Sequence, residues 1–536
     1  MTRTLVDAFL AQCQGSLIET HISWVILTDS LVYKIKKPLD LGFLDYHTLA
    51  LRRHYCEEEL RLNRRTAPQI YDSVVAFRGT ESNPQLSDDP DAPDVIEYAV
   101  KMHRFSEDAI LGRMEEKGKL SPIVVAALAE AIAGFHGSLS GVEMDPATAR
   151  ALVIEPCREN FAQITHLAQA EAQEQDTVTR LAQWTETTFV SLTPAFEERA
   201  ALGMIRDCHG DLHLGNMLFD GQQCVLFDCI EFNPGLHRID IISDVAFTIM
   251  DMTALGKPDL AWRLLNDWLT LTGDYDGLRV LRFYLVYRAM VRAKVSLISA
   301  SQATGDSAQS HERAVSAYRQ FQTYLTLAEA FSTSTAANNP AVTGAPALIL
   351  MCGFSGSGKS TIATELASQL GYIHLRSDVE RKRLFRLAPD ESSHDAGLDI
   401  YQPQASRQTR ERLQALAALC LNSQFGVIAD ATFISRSWRE PFLTLARQSQ
   451  VPVVIIHCQV SATTASKRLA ARQGDPSEAG FAQYLDQQKT FDDFSLTEQQ
   501  LCITVNTEDA EALATLQEQV RLKLKGADTA SKTDLS

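Results

Sequence analysis

The chain has 536 residues, 45% hydrophobic and 22% charged, which is the balance of a folded globular protein with more than one core. A formal net charge of −17 argues against a broad nucleic-acid or anionic-membrane surface and favours small substrates over polymers. Ten cysteines with no CxxC pair read as reduced core residues; with no apolar leader and no run of about 18 apolar residues, the expected location is the cytoplasm.

In chain order, residues 22–27 and 31–36 predict a β-hairpin across Thr28-Asp29-Ser30, with Lys34 and Lys36 on one strand face. A helix is expected over about 48–65, carrying Glu57, Glu58 and Glu59, then strands at 74–77 and 95–102. Residues 79–94, rich in Pro, Asp and Ser, read as a solvated loop. Ser121-Pro122 supplies a helix cap and first-turn proline, and the composition stays helical to about 203. Short strands follow at 216–219 and 224–227 around Asp220-Gly221, and long amphipathic helices run to about 331.

The stretch His209-Gly210-Asp211-Leu212-His213-Leu214-Gly215-Asn216 puts a carboxylate and an amide on a short loop, and Asp228 follows the next strand. Transfer of a phosphoryl group to a hydroxyl needs a carboxylate near the hydroxyl proton and oxygen ligands for Mg²⁺ across the ATP phosphates. Asp211 is the candidate base, and Asn216 and Asp228 are the candidate metal ligands. Asp240 and Asp244 share a helix face and either brace this loop or face solvent.

His209-Gly210-Asp211 with Asn216 resembles the catalytic loop of aminoglycoside phosphotransferases and related choline- and fructosamine-type kinases, over about residues 20–325. The resemblance implies an α+β two-lobed protein-kinase-like fold. It also implies that Lys34 or Lys36 contacts phosphates, that Glu59 orients that lysine, and that residues 97–102 form the adenine-binding hinge. The first hairpin departs from the pattern in having no glycine-rich loop, and Asp228-Cys229 lacks the glycine that follows the metal aspartate of protein kinases.

Residues 331–346 are small, polar and proline-punctuated, as expected of a linker. Beyond it, strands near 347–352, 372–376, 426–429, 451–458 and 502–505 alternate with helices, predicting an α/β domain with a parallel sheet. The first strand runs into Gly353-Phe354-Ser355-Gly356-Ser357-Gly358-Lys359-Ser360, a phosphate loop opening a helix at Thr361. Its glycines let successive N–H groups turn toward phosphates, Lys359 reaches the β- and γ-phosphates, and Ser360 holds Mg²⁺. The expected organisation is a kinase-like domain at 1–330, the linker, a P-loop domain at 347–525 and a frayed tail at 526–536.

Three further groups belong to the P-loop domain. Asp378 and Arg381 emerge at a strand's C-terminal edge, as proton acceptor and cation. Asp430, before Ala431-Thr432, suits Mg²⁺ or substrate. Arg468 and Arg472, placed on one helix face before Gln473-Gly474-Asp475-Pro476-Ser477, predict a lid that stabilises the transferring charge. Together these residues resemble P-loop kinases of the polynucleotide-kinase and zeta-toxin type, and the order of the two halves resembles bacterial fusions of a phosphotransferase-like and a P-loop domain. The resemblance implies ATP, Mg²⁺ and hydroxyl acceptors, hence a bifunctional phosphotransferase of small molecules. Two alternatives stay open: a 5′-hydroxyl nucleic-acid kinase, and a non-catalytic ATP-sensing N-terminal module. Oligomeric state is not encoded in any of these motifs.

Overall fold

The computed structural model describes residues 3–40, 42, 44–167, 172–303, 308–333, 345–472 and 476–533. They form two compact units, one of residues 1–251 with 283–325 and one of 252–282 with 326–536.

The first unit begins with α1 (Arg3–Cys13), β1 (Ser16–Glu19), β2 (Ser23–Leu27), β3 (Leu31–Lys36), α2 (Leu49–Asn63), β4 (Tyr71–Thr80), β5 (Asn83–Ser87) and β6 (Val95–His103). The six strands form one antiparallel sheet in the order β1-β2-β3-β6-β4-β5. Strand alternation sorts the side chains onto two faces. Trp24, Ile26, Tyr33, Ile35, Val75 and Phe77 meet α1 through Leu5, Val6 and Phe9. Val32, Val74, Ala76, Tyr98 and Val100 meet Cys56 of α2. Thr48 caps α2, its hydroxyl accepting from Leu51 N.

Two strands of this sheet went unanticipated. β5 lies within the segment expected to be a solvated loop, and it is an edge strand containing Pro84, a position that tolerates a missing N–H. β1 is four residues long, with little periodicity to betray it. The expected hinge also needs correction. Residues 97–102 lie inside β6, paired with β4 along their length and with β3 from Val100 onward, so most of the expected hinge is strand; the chain leaves the sheet only after His103.

The helical part contains α3 (Leu111–Glu116), α4 (Pro122–Ser138), α5 (Pro146–Leu167) and α6 (Ala172–Ala201). Then come β7 (Ile205–Asp207), β8 (Met217–Phe219), β9 (Cys224–Leu226), α7 (Pro234–His237), β10 (Arg238–Asp240) and α8 (Ile241–Ala254). β8 and β9 pair as expected, and β7 pairs with β10. α9 (Pro258–Thr272), α10 (Leu278–Gln302) and α11 (Ala308–Ser332) complete the helices before the linker, of which 334–344 lie outside the described residues.

The second unit contains β11 (Leu348–Cys352), α12 (Lys359–Leu370), β12 (Ile373–Arg376), α13 (Ser377–Leu384), α14 (Pro403–Asn422), β13 (Val427–Asp430) and α15 (Arg436–Gln448). It continues with β14 (Val453–Gln459), α16 (Ala462–Ala470), α17 (Phe481–Lys489), α18 (Leu496–Leu501), β15 (Cys502–Asn506) and α19 (Ala510–Thr533). Its five strands are all parallel, in the order β12-β13-β11-β14-β15. The central β11 is buried at every position, which is why it reads as an unbroken apolar run. α19 runs past Gly526 into the segment expected to fray.

α9 belongs to this unit although it precedes the linker. Its Asn266 donates from Nδ2 to Tyr372 O at 2.9 Å and accepts from His374 N at 2.8 Å, so one amide side chain caps the free edge of β12. Among the described residues, no helix is long and apolar enough to cross a membrane.

Candidate active sites

In the first unit β3 aims Lys34 and Lys36 at the same carboxylate of α2, with different surroundings. Lys34 Nζ lies 2.8 Å from Glu59 Oε1 and 2.5 Å from Asp228 Oδ1, and it lines a cavity of about 690 Å³. Lys36 Nζ lies 2.8 Å from Glu59 Oε2, pairs with Glu231, is fully buried and does not line the cavity. Tyr46 OH donates to the same Glu231 carboxylate. Burial opposes charge on both ammoniums, but Asp228 and Glu59 outweigh it for Lys34, and Glu231 and Glu59 for Lys36, so both pKa values rise. Burial likewise opposes ionisation of Glu59, and the two lysines overcome it and lower its pKa.

The 209–216 loop is braced from beneath by Asp244, which is buried. Its Oδ2 accepts from His209 N at 3.1 Å and its Oδ1 from Gly210 N at 3.0 Å, while His136 Nε2 sits 3.2 Å from Oδ2. Asp240 is spent elsewhere, gripped by Arg199 through two contacts of 2.7 Å. Gly210 has a φ of +86°, and a Cβ there would stand 2.7 Å from Leu236 O, so the loop turns only with glycine. Arg288 of α10 donates to Gly210 O at 2.8 Å and to Ser243 O at 3.1 Å.

Asp211 Oδ2 accepts from Asn216 Nδ2 at 3.0 Å, and His213 Nε2 lies 3.5 Å away. Burial opposes ionisation of Asp211, but His213, Arg292 and His209 outweigh it and hold the carboxyl well below the usual range. It is therefore an ionised acceptor at neutral pH. Asp228, just past β9, takes a left-handed φ of +65°, and its N–H donates to Tyr71 OH at 3.1 Å. Lys34, Asp211 and Asp228 line one cavity; Asn216 is 7% exposed and stands behind Asp211. The residues missed in the sequence are the Thr20-His21-Ile22 turn between β1 and β2, which lines this cavity, and the brace Arg288; of the two aspartates expected to brace the loop or face solvent, Asp244 is the brace. Arg288 lies inside a long helix and carries no local signal.

In the second unit β11 delivers the phosphate loop. Gly353 has a φ of +144°, and a Cβ there would stand 2.5 Å from Cys458 O. Lys359 opens α12 and donates to Phe354 O at 2.8 Å, with Ser357 Oγ at 3.5 Å. Ser355, Gly356, Gly358, Lys359, Ser360 and Thr361 line a cavity of about 370 Å³; Gly353 and Ser357 shape the loop from behind. Gln487 of α17, absent from the sequence reading, accepts from Ser355 N at 2.8 Å and donates to Ser355 Oγ at 3.1 Å.

Asp378, Arg381, Asp430 and Arg472 reach the same cavity. Asp378 is the second residue of α13, whose N-cap is Arg376, so it is not a capping residue. Arg381 is 7% exposed, donates to Ile400 O at 3.1 Å and Ser406 Oγ at 3.2 Å, and stacks over Tyr401 at 5.0 Å. Asp430 ends β13, with His374 Nε2 at 3.2 Å. Burial opposes its ionisation, but His374 and then Lys359 outweigh this and lower its pKa to about 2.

The two lid arginines do not share a helix face. α16 ends at Ala470 with Ala471 as C-cap, so Arg472 lies beyond it and donates to Ser477 O at 3.3 Å. Arg468 is held by Thr507, at 2.9 Å to Oγ1 and 3.0 Å to the carbonyl, and does not line the cavity. Gln473, Gly474 and Asp475 of the expected lid lie outside the described residues.

Both sites fit a magnesium nucleotide by chemistry. The second offers a cradle that a single Cβ would fill, a lysine and a hydroxyl at a helix N-terminus, and a carboxylate. The first offers a carboxylate and an amide oxygen beside a lysine.

Residues 83–284 match the model of the family described as phosphotransferase enzyme family, and residues 348–494 match that described as AAA domain. The chain is similar to uncharacterized proteins of Mycobacterium tuberculosis (Rv2004c) and Mycobacterium bovis (Mb2027c), each 28% identical over 473 residues, covering 86% of this chain and 87% of theirs. Among solved structures, it is similar to an aminoglycoside phosphotransferase from Alicyclobacillus acidocaldarius, 14% identical with a TM-score of 0.33, covering 59% of this chain and 90% of that one. A Plasmodium vivax ethanolamine kinase is 11% identical with a TM-score of 0.33, covering 59% and 81%. A gluconokinase from Sinorhizobium meliloti is 21% identical with a TM-score of 0.25, covering 35% and 96%. The chain thus matches the phosphotransferase enzyme family over 83–284 and the AAA domain over 348–494, the second on a parallel five-stranded sheet that carries the phosphate loop.

Proposed function

We propose that the chain is a bifunctional ATP-dependent phosphotransferase, each unit transferring the ATP γ-phosphoryl group to a hydroxyl of a small molecule. The observation that carries this reading is a convergence: on two unrelated folds, a lysine and two carboxylates line one cavity. They are Lys34, Asp211 and Asp228 in the first unit and Lys359, Asp378 and Asp430 in the second.

In the first unit, ionised Asp211 accepts the hydroxyl proton as the oxygen–phosphorus bond to the acceptor forms and the bond to ADP breaks. Lys34, oriented by Glu59, meets phosphate oxygens. Asn216 and Asp228 are the residues to hold Mg²⁺. In the second, Asp378 receives the proton, while Arg381 and Arg472 counter the charge spreading over the transferring group. Lys359 and the loop amides would hold phosphate, and Ser360 and Asp430 are the residues that would hold Mg²⁺. The metal's contribution in each site is to neutralise phosphate oxygens.

Calorimetric titration with Mg-ATP tests the reading. The full chain should bind two equivalents, and Lys359→Ala should bind one. A single equivalent in the wild type, abolished by Lys359→Ala, would remove the first unit from the proposal.

A further inference from the structure

The cavity of the first unit is larger than its phosphoryl-transfer end requires. Its volume, about 690 Å³, is that of a small-molecule site. Lys34, Asp211 and Asp228 occupy one part of the wall, and no residue of 103–110, where the chain leaves β6, contributes to it. The remaining wall comes largely from α5 and α10.

On α10 the apolar wall residues are Tyr287, Val291, Val295 and Ile298, spaced so that they share one helix face, beside Arg288, Lys294, Ser301 and Gln302. All four apolar residues are only half-buried, whereas Leu285, Val286, Met290 and Leu297 of the same helix are buried in the lobe. Ile230 and Phe232, also half-buried, continue this apolar surface. An aliphatic and aromatic stripe held against a cavity is a binding surface for apolar groups.

The charges along the wall point the same way. Of its four carboxylates, Asp211 and Asp228 belong to the transfer end and Glu231 is paired with Lys36. Only Glu159 remains, and the cationic Arg288 and Lys294 line the same cavity. A ligand with several ammonium groups would find one carboxylate and meet two cations. Burial lowers the pKa of Lys294, with Glu159 opposing, as expected beside apolar surface. Asn160, 3% exposed, also lines the wall, and its Nδ2 has no hydrogen-bond partner among the described residues.

We propose that the acceptor of the first unit is an uncharged alcohol with an apolar body, its hydroxyl at Asp211 and its body along Tyr287, Val291, Val295 and Ile298. This rests on the reading of the first unit as a hydroxyl phosphotransferase. In the full chain carrying Lys359→Ala, calorimetry with the series from phenylethanol to phenylhexanol should show affinity rising about fourfold per methylene. Kanamycin, a polycation, should bind at least about tenfold more weakly than phenylhexanol, given one carboxylate against two cations in the wall. Val295→Asp should flatten the chain-length dependence. Val291→Thr, nearly isosteric, should weaken binding of every member and keeps the test informative if the aspartate variant misfolds.

Absence of chain-length dependence, or preference for kanamycin, overturns the assignment. If kanamycin is phosphorylated in an Asp211-dependent manner, the acceptor class is wrong and the phosphotransferase reading survives. If the alcohols bind with the expected dependence but no Asp211-dependent transfer to any of them occurs, the binding surface stands and the phosphotransferase reading falls.

Discussion

The two lysines of β3 differ by two positions in sequence and by their whole environment, so exchanging each for methionine should separate stability from catalysis. Lys36→Met removes the buried partner of Glu231, whose side chain is 4% exposed. Breaking a buried ion pair from one side costs about 3–5 kcal/mol, because a carboxylate is left desolvated. For a unit of this size each kcal/mol moves the melting temperature by roughly 2–4 °C, giving a fall of about 6–20 °C. Lys34→Met leaves Glu59 with Lys36 as its remaining cation and leaves Asp228, 42% exposed, open to water, so its effect on stability should be smaller than that of Lys36→Met. Phosphoryl transfer should follow the opposite order, since only Lys34 lines the cavity. The assay combines thermal unfolding by circular dichroism with labelled-ATP turnover, both in the Lys359→Ala background. A stable Lys36→Met protein without turnover, beside an active Lys34→Met protein, would refute this assignment.

Three other outcomes follow from single contacts. Gly353→Ala should abolish nucleotide binding in the second unit, measured calorimetrically, because its Cβ would stand 2.5 Å from Cys458 O at a φ of +144°; binding at wild-type strength would contradict the cradle. The pKa of Asp430 is lowered to about 2 from 3.8, so its ionised form favours the folded state. That contribution, about 2 kcal/mol, is complete above pH 3.8 and is lost as the pH falls toward 2. His374→Ala should therefore shift acid unfolding of the second unit toward neutral pH, and an unchanged acid limb would refute the pairing. Asn266→Ala should lower that unit's stability by about 1–2 kcal/mol, read from the urea midpoint, by uncapping the β12 edge; no change would mean water replaces the amide without loss.

The elements read most securely in the sequence are those with an unbroken physical signature. β11 is apolar throughout because it is covered on both faces, and the phosphate loop's glycines are fixed by contacts such as that of Gly353 with Cys458. Asp211 and Asp228 were recognisable because a loop motif placed them, whereas strand alternation put Lys34 and Lys36 on one face without saying which of them lines the cavity. β5 was hidden by its proline, which an edge position accommodates. Arg468 and Arg472 illustrate another limit, since α16 ends at Ala470, two residues short of Arg472, and so separates side chains that helical spacing puts together. Placement of α9 beside β12, and of Arg288 beneath Gly210, depends on tertiary contacts between residues 78 to 108 positions apart, to which local patterning is blind.

The central claim is that one chain carries two separate phosphoryl-transfer sites. Its most direct test is to incubate the wild type, Lys359→Ala, Asp211→Asn and the double variant with labelled ATP and a metabolite extract, then identify the phosphorylated products. Each single variant should lose one distinct set of products and keep the other, and the double variant should yield none. If either single substitution removes every product, the chain has one catalytic site and the account is wrong.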